Sequence, residues 1–138
     1  MEIRKATEQD LEQLASIRDS IYRLKYTQTS EWIKDMFSHS GINILVADTD
    51  SEIAGFVMYS IENLFVRDLN IKEEFRKKGI GASLIKEAGK AFKEKGITDN
   101  IRYIPRDNEC LEMLSFLEHN TDNIRITDSD YLSDAFRF

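Results

Sequence analysis

Hydrophobic spacing divides the chain into helical and extended stretches. Leu11, Leu14, Ala15, Arg18, Ile21 and Tyr22 recur at intervals of three residues or one, the spacing of one helix face. Thr7, followed by Glu8 and Asp10, predicts the N-terminus of that helix. Glu2 to Lys5 reads as a short strand before it. Ser30 is expected to cap a second, shorter helix on which Trp32, Ile33, Met36 and Phe37 share a face, with Gly41 ending the region. The period then changes. Ile42 to Ala47 and Ile53 to Ser60 are strands joined by a turn at Asp48 to Glu52, an antiparallel hairpin. A reversal near Glu62-Asn63 leads into a third apolar run, Leu64 to Ile71.

A charged turn follows, and then Arg76-Lys77-Lys78-Gly79-Ile80-Gly81 opens a strongly amphipathic segment. Ile80, Leu84, Ile85, Ala88, Ala91 and Phe92 form one stripe, with Ser83, Lys86, Glu87, Lys90, Lys93 and Glu94 opposite. Gly96 stands where a left-handed C-terminal cap belongs. Gly89, inside the helix, costs roughly 1 kcal/mol against Ala, for which close packing on a sheet is one reason. Ile101 to Ile104, closed by Pro105, is a strand expected to lie parallel to Leu64–Ile71 because it follows a strand–helix unit. Asn108 is expected to cap a helix carrying Leu111, Leu114, Phe116 and Leu117. Ile124 to Thr127 is a further strand candidate, and Tyr131 to Phe138 a last extended segment. The order β-α-α-β-β-β-α-β-α-β predicts an α+β fold with a mixed, mostly antiparallel central sheet flanked by helices.

Composition narrows the function classes. A chain of 138 residues predicts one domain, residues 1–138, with a real core. The formal charge of -6 argues against non-specific binding of DNA or an anionic membrane, and is compatible with a cationic substrate such as an amine. Cys110 is the only cysteine, so neither an intramolecular disulfide nor a thiolate zinc cluster can form, and no metal is expected. Without an apolar run of membrane-spanning length or a signal pattern at Met1-Glu2-Ile3-Arg4, a cytoplasmic location is expected.

A strand, a basic glycine-containing loop and a helix, in that order, make an anion cradle. Successive backbone N–H groups at the helix start converge on one spot, and the helix dipole adds positive potential there. A P-loop would need Gly-x-x-x-x-Gly-Lys-Ser/Thr, which the chain lacks. A dinucleotide fingerprint would need a third small residue where Leu84 stands, and parallel strands ahead of the loop where the hairpin lies. What remains is Arg-x-x-Gly-x-Gly. Together with Leu69-Asn70-Ile71 before it, Gly55-Phe56 in the preceding strand and the capping Asn108, it resembles the GNAT N-acetyltransferase superfamily over essentially the whole chain.

That resemblance implies acetyl-CoA as co-substrate. Backbone groups from Lys77 to Ala82, within the set Arg76, Lys77, Lys78, Gly79, Ile80, Gly81 and Ala82, would hold its pyrophosphate. Leu69, Asn70 and Ile71 would line its pantetheine arm, Asn108 would belong to the same site, and Lys86 and Lys90 would lie within reach of the 3′-phosphate. A splay between the fourth and fifth strands would admit the acyl group. The implied reaction is direct transfer of an acetyl group to an amine of a small molecule or protein by a monomer or homodimer.

Such a transfer needs a deprotonated amine, because a lysine-type amine with a pKa near about 10.4 is almost all ammonium at neutral pH. Glu62 and Asp68 are the candidate bases, and the Ile71 N–H is the candidate oxyanion donor. The acid that protonates the leaving thiolate is a Tyr in many members of the superfamily. Alignment on Asn108 puts Ser115 at that position, leaving Tyr103 and Tyr131 as substitutes. A thiolate with a pKa near about 8.5 leaves tolerably without an acid. His39 and His119 read as cap residues and Cys110 as a small apolar residue. A second reading stays open: a non-catalytic acyl-CoA-binding or regulatory domain that kept the cradle and lost the acid.

Overall fold

The computed structural model describes residues 1–22, 26–98, 100–104 and 124–126. Its elements are β1 (Glu2–Lys5), α1 (Leu11–Tyr22), α2 (Tyr26–Ser38), β2 (Asn43–Asp48), β3 (Ile53–Ser60), β4 (Phe65–Ile71), α3 (Ile80–Glu94), β5 (Ile101–Ile104) and β6 (Ile124–Ile126). The strands lie in one sheet in sequence order. Pairing is antiparallel from β1 through β4, then parallel from β4 to β5 and from β5 to β6. The predicted α+β class, the hairpin and the parallel fifth strand are all present.

Helices cover both faces. On one side Leu84, Ile85, Ala88 and Phe92 of α3 pack on Leu45, Val57, Val66, Leu69 and Tyr103. On the other, Leu14, Ala15 and Ile17 of α1 and Ile33 and Met36 of α2 pack on Val46, Phe56, Met58 and Phe65. Burying each such side chain is worth about 1.5–3 kcal/mol, so both helical layers are tied to the sheet by their apolar stripes.

Three local features depart from or sharpen the sequence expectation. Helix α2 begins at Tyr26, before the expected cap Ser30. Thr29 is buried there, and tertiary packing outweighs the modest preference of Ser and Thr for a cap. At the start of α1, Thr7 leads a single 3-10 turn, Glu8–Asp10, in which the Thr7 N–H donates to Asp10 Oδ2 at 2.7 Å. Helix α3 ends as expected: the Gly96 N–H donates to Lys93 O at 2.9 Å and the Ile97 N–H to Phe92 O at 3.0 Å, a Schellman pair.

Candidate active site

The site is built outward from β4, whose seven residues are all buried. Its pairing with β3 shifts register between Phe56 and Met58, so Asp68 and Leu69 together face the single residue Val57. This is a β-bulge, and Asp68 takes a left-handed backbone at φ +53°. Simple alternation would put Val66, Asp68 and Asn70 on one face. Instead Val66, Leu69 and Ile71 join the core under α3, while Arg67, Asp68 and Asn70 meet the α1/α2 side.

The bulge also follows directly on the last described pair of β4 with β5. Their register runs from Phe65↔Arg102 to Arg67↔Ile104, and Asp68 to Ile71 continue beyond the last described pair. The Lys72 N–H donates to Ala54 O at 2.9 Å, so antiparallel alternation turns the N–H and C=O of Ile71 away from β3. The Ile71 carbonyl accepts a 3.1 Å hydrogen bond from Arg76 Nε. Arg76 thus folds the loop back onto the strand's end.

Beyond Lys72 and the 3-10 turn Glu73–Phe75, the loop takes two left-handed residues, Lys77 at φ +62° and Gly79 at φ +81°. Holding a lysine there costs roughly 1–2 kcal/mol, the kind of local strain found at ligand clamps. Gly79 is the N-cap of α3, and nothing lies within 4 Å of the position a Cβ would take on it. Its carbonyl accepts from the Ser83 N–H and the Ser83 hydroxyl, each at 3.1 Å. The first N–H groups of α3, from Ile80, Gly81 and Ala82, have no acceptor within the helix. Arg76, Lys77 and Lys78 are exposed around it. The donor set suits a polyphosphate, and the open Gly79 leaves room for one. Gly81 differs: its Cβ would point back at the sheet, 3.7 Å from Leu69 Cδ2 and 3.9 Å from Ile71 Cγ1.

The three candidate catalytic side chains do not converge. Asp68 is fully enclosed on the α1/α2 face, where Oδ1 accepts from Arg18 Nε at 2.9 Å and Oδ2 from Arg67 Nε at 3.0 Å. Burial opposes its ionisation, but the two guanidinium groups outweigh that and hold the carboxyl below the usual range. A carboxylate in two ion pairs is a poor proton acceptor. Glu62 is exposed in the turn before β4, its carboxylate beside His39 and Gly41. From Phe65 to Leu69 alone the strand spans about 13 Å, which separates Glu62 from the Leu69–Ile71 edge. Tyr103 is buried in the core under α3, opposite Val66. Asn108, Cys110, Ser115, His119 and Tyr131 lie outside the described residues.

Sequence reasoning missed the cluster that encloses Asp68. The Arg18 guanidinium lies 3.8 Å from the centroid of Trp32, that of Arg67 lies 5.3 Å away, and Asn70 Nδ2 donates to the Asp68 carbonyl at 3.2 Å. One signal was available: Arg18 stands on the inward stripe of α1, where a cation needs a buried partner. Among the described residues, no group of three or more His, Cys, Asp or Glu side chains is placed to hold a metal, and no helix is long and apolar enough to cross a membrane.

Comparison with known proteins gives concordant matches. The Acetyltransferase (GNAT) family model matches residues 10–122. The spermidine N(1)-acetyltransferase of Thermoplasma acidophilum is 31% identical over 156 residues, covering 96% of this chain and 94% of that protein. An aminoglycoside antibiotic 6'-N-acetyltransferase from Acinetobacter haemolyticus, solved in its apo form, superposes with a TM-score of 0.69 at 13% identity, over 93% of this chain and 94% of the other. An aminoglycoside 6'-N-acetyltransferase solved in complex with coenzyme A gives 0.59 at 20% identity, over 70% and 57%. At these identities the two structural matches speak for the fold alone.

Proposed function

The chain belongs to the GNAT acetyltransferase family, and on that premise we propose that it transfers an acetyl group from acetyl-CoA to a primary amine of a small cationic acceptor by direct attack. In this reading residues 1–138 form a single acyltransferase domain working in the cytoplasm. The observation that carries it is the junction of β4 with α3. An open, glycine-capped helix N-terminus follows, after one basic loop, on a bulged strand whose last residues continue past its last described pair with β5. Lys77 to Ala82 hold the pyrophosphate through backbone N–H groups, with Arg76, Lys77 and Lys78 supplying positive charge. The outward edge of Leu69 to Ile71 takes the pantetheine arm as an added strand would pair, and the Ile71 N–H stabilises the tetrahedral oxyanion.

The acceptor class is supported by the net charge of -6 and by the spermidine-acetylating relative. Neither Glu62 nor Asp68 is placed to take the amine's proton directly, so the amine enters as its neutral fraction and loses its proton to solvent. The thiolate leaves without an obligatory acid from Tyr103, which is enclosed in the core.

The test has two parts. Calorimetry with acetyl-CoA is expected to show micromolar-range binding. Thiol release from acetyl-CoA is expected with spermidine or an aminoglycoside as acceptor. Binding without turnover over a broad amine panel would mean a non-catalytic acyl-CoA-binding domain, and no binding would overturn the assignment of the cradle.

A further inference from the structure

Asp68 combines features that no other residue of β4 shares. It is the left-handed residue at φ +53°, it belongs to the bulge, and its carboxylate is paired to guanidinium groups from two different elements. Aspartate is one of the few residues other than glycine that tolerates such a backbone. Arg18 reaches it from α1 with Nε at 2.9 Å and sits over the ring of Trp32 of α2 at 3.8 Å, so both helices of that layer bear on one point of the strand. Arg67, one residue away, closes the other oxygen at 3.0 Å. The last described pair between β4 and β5 is Arg67↔Ile104, one residue before the residue this cluster holds.

We propose that Asp68 is a positioning residue: gripped by Arg18 and Arg67, it fixes the bulge of β4 and so sets the Leu69–Ile71 edge against which the thioester lies. This rests on the acyl-transfer reading above. Two alternatives are distinct. As a proton acceptor, Asp68 would need an available oxygen, and both of its oxygens accept from guanidinium groups. As a merely stabilising ion pair, it would change the melting temperature without changing turnover of the folded enzyme.

Asp68→Asn separates these roles, because asparagine tolerates the same backbone and keeps the shape while removing the charge. Hydrogen exchange of the peptide spanning residues 65–71 is expected to quicken about tenfold against a control peptide spanning residues 43–48. Well below the melting temperature, kcat with spermidine is expected to fall about tenfold while KM for acetyl-CoA stays within about twofold, the mark of lost orientation. The shape of the pH–rate profile should stay as in the wild type. Wild-type kcat and exchange in Asp68→Asn would overturn the proposal. So would loss of an acidic limb from its pH profile, which would make Asp68 the base. Should Asp68→Asn fail to fold, Arg18→Lys keeps the charge but loses the planar fork and its contact with Trp32. It should move exchange and kcat in the same direction by a smaller factor, and wild-type values would again overturn the proposal. If the wild-type protein releases no thiol, the acyl-transfer reading fails and exchange alone decides: quicker exchange leaves the grip on the bulge standing, and unchanged exchange overturns it.

Discussion

Gly55 of β3 lies so close to Ile71 of β4 that a Cβ on the glycine would stand 2.6 Å from Ile71 Cδ1, and also 2.6 Å from the backbone oxygen of Asn70. The side chain could turn away, but the carbonyl cannot move without taking β4 with it. A glycine inside a strand often marks such a close approach of a second backbone. Gly55→Ala is therefore expected to destabilise the protein by about 1–3 kcal/mol and to weaken acetyl-CoA binding by displacing the end of β4. Urea denaturation and calorimetry check the two effects, and wild-type values in both would refute the contact.

The two glycines of the cradle should respond in opposite directions. Gly79 sits at φ +81° with open space around it, so Gly79→Ala meets no atom yet strains the backbone. A loss of roughly 1–2 kcal/mol is expected. Gly81 is inside α3 and its Cβ would make ordinary contacts at 3.7 and 3.9 Å with Leu69 and Ile71. Gly81→Ala should be neutral or stabilise by up to about 1 kcal/mol through helix propensity. Parallel denaturant melts of both variants decide this.

Stability should depend on pH through carboxylates whose folded pKa lies below the unfolded value. Burial disfavours the Asp68 anion, but Arg18 and Arg67 prevail. Asp10 is lowered chiefly by its hydrogen bond from Arg4, which reaches Oδ2 at 2.7 Å. Both groups add stability that is complete above the unfolded pKa of about 3.9, and that is lost as pH falls through the depressed folded values. The melting temperature should be level above about pH 5 and decline below about pH 4. Asp68→Asn should lose on the order of 3 kcal/mol at pH 7, because two buried guanidinium groups lose their anion, and should show a shallower acid decline. An acid decline as steep as the wild type's would count against the assignment.

If the acceptor enters as its neutral fraction, kcat/KM should rise about tenfold per pH unit below the amine's own pKa. Glu62→Gln should leave that slope unchanged and alter kcat by less than about threefold, since its carboxylate lies at the far end of β4. A new plateau or a large loss in Glu62→Gln would restore Glu62 as the base.

The hairpin of β2 and β3, the run into β4, the basic loop and the stripe of α3 were all readable from the chain, because each rests on local period and turn chemistry. The bulge was not. Strand alternation puts Val66, Asp68 and Asn70 on one face, and one extra residue carries no periodic mark, so only the register with β3 gives the direction of Asp68. Arg18 stands on the inward stripe of α1, and sequence spacing gives no distance to its partner fifty positions away. The early start of α2 escaped for a similar reason: the burial of Thr29 is a tertiary fact.

The order of strands in the sheet bears on how the protein assembles. β2, β3 and β4 form a meander closed by short turns, so their pairing brings together residues near one another in the chain. β1 must wait for α1 and α2 to be spanned, and β5 for α3, and these longer closures cost more chain entropy before any contact rewards them. β4 therefore belongs to the part of the sheet that closes locally, and its parallel partner β5 is brought in from a distance. The proposed acyl site lies along the seam between the two.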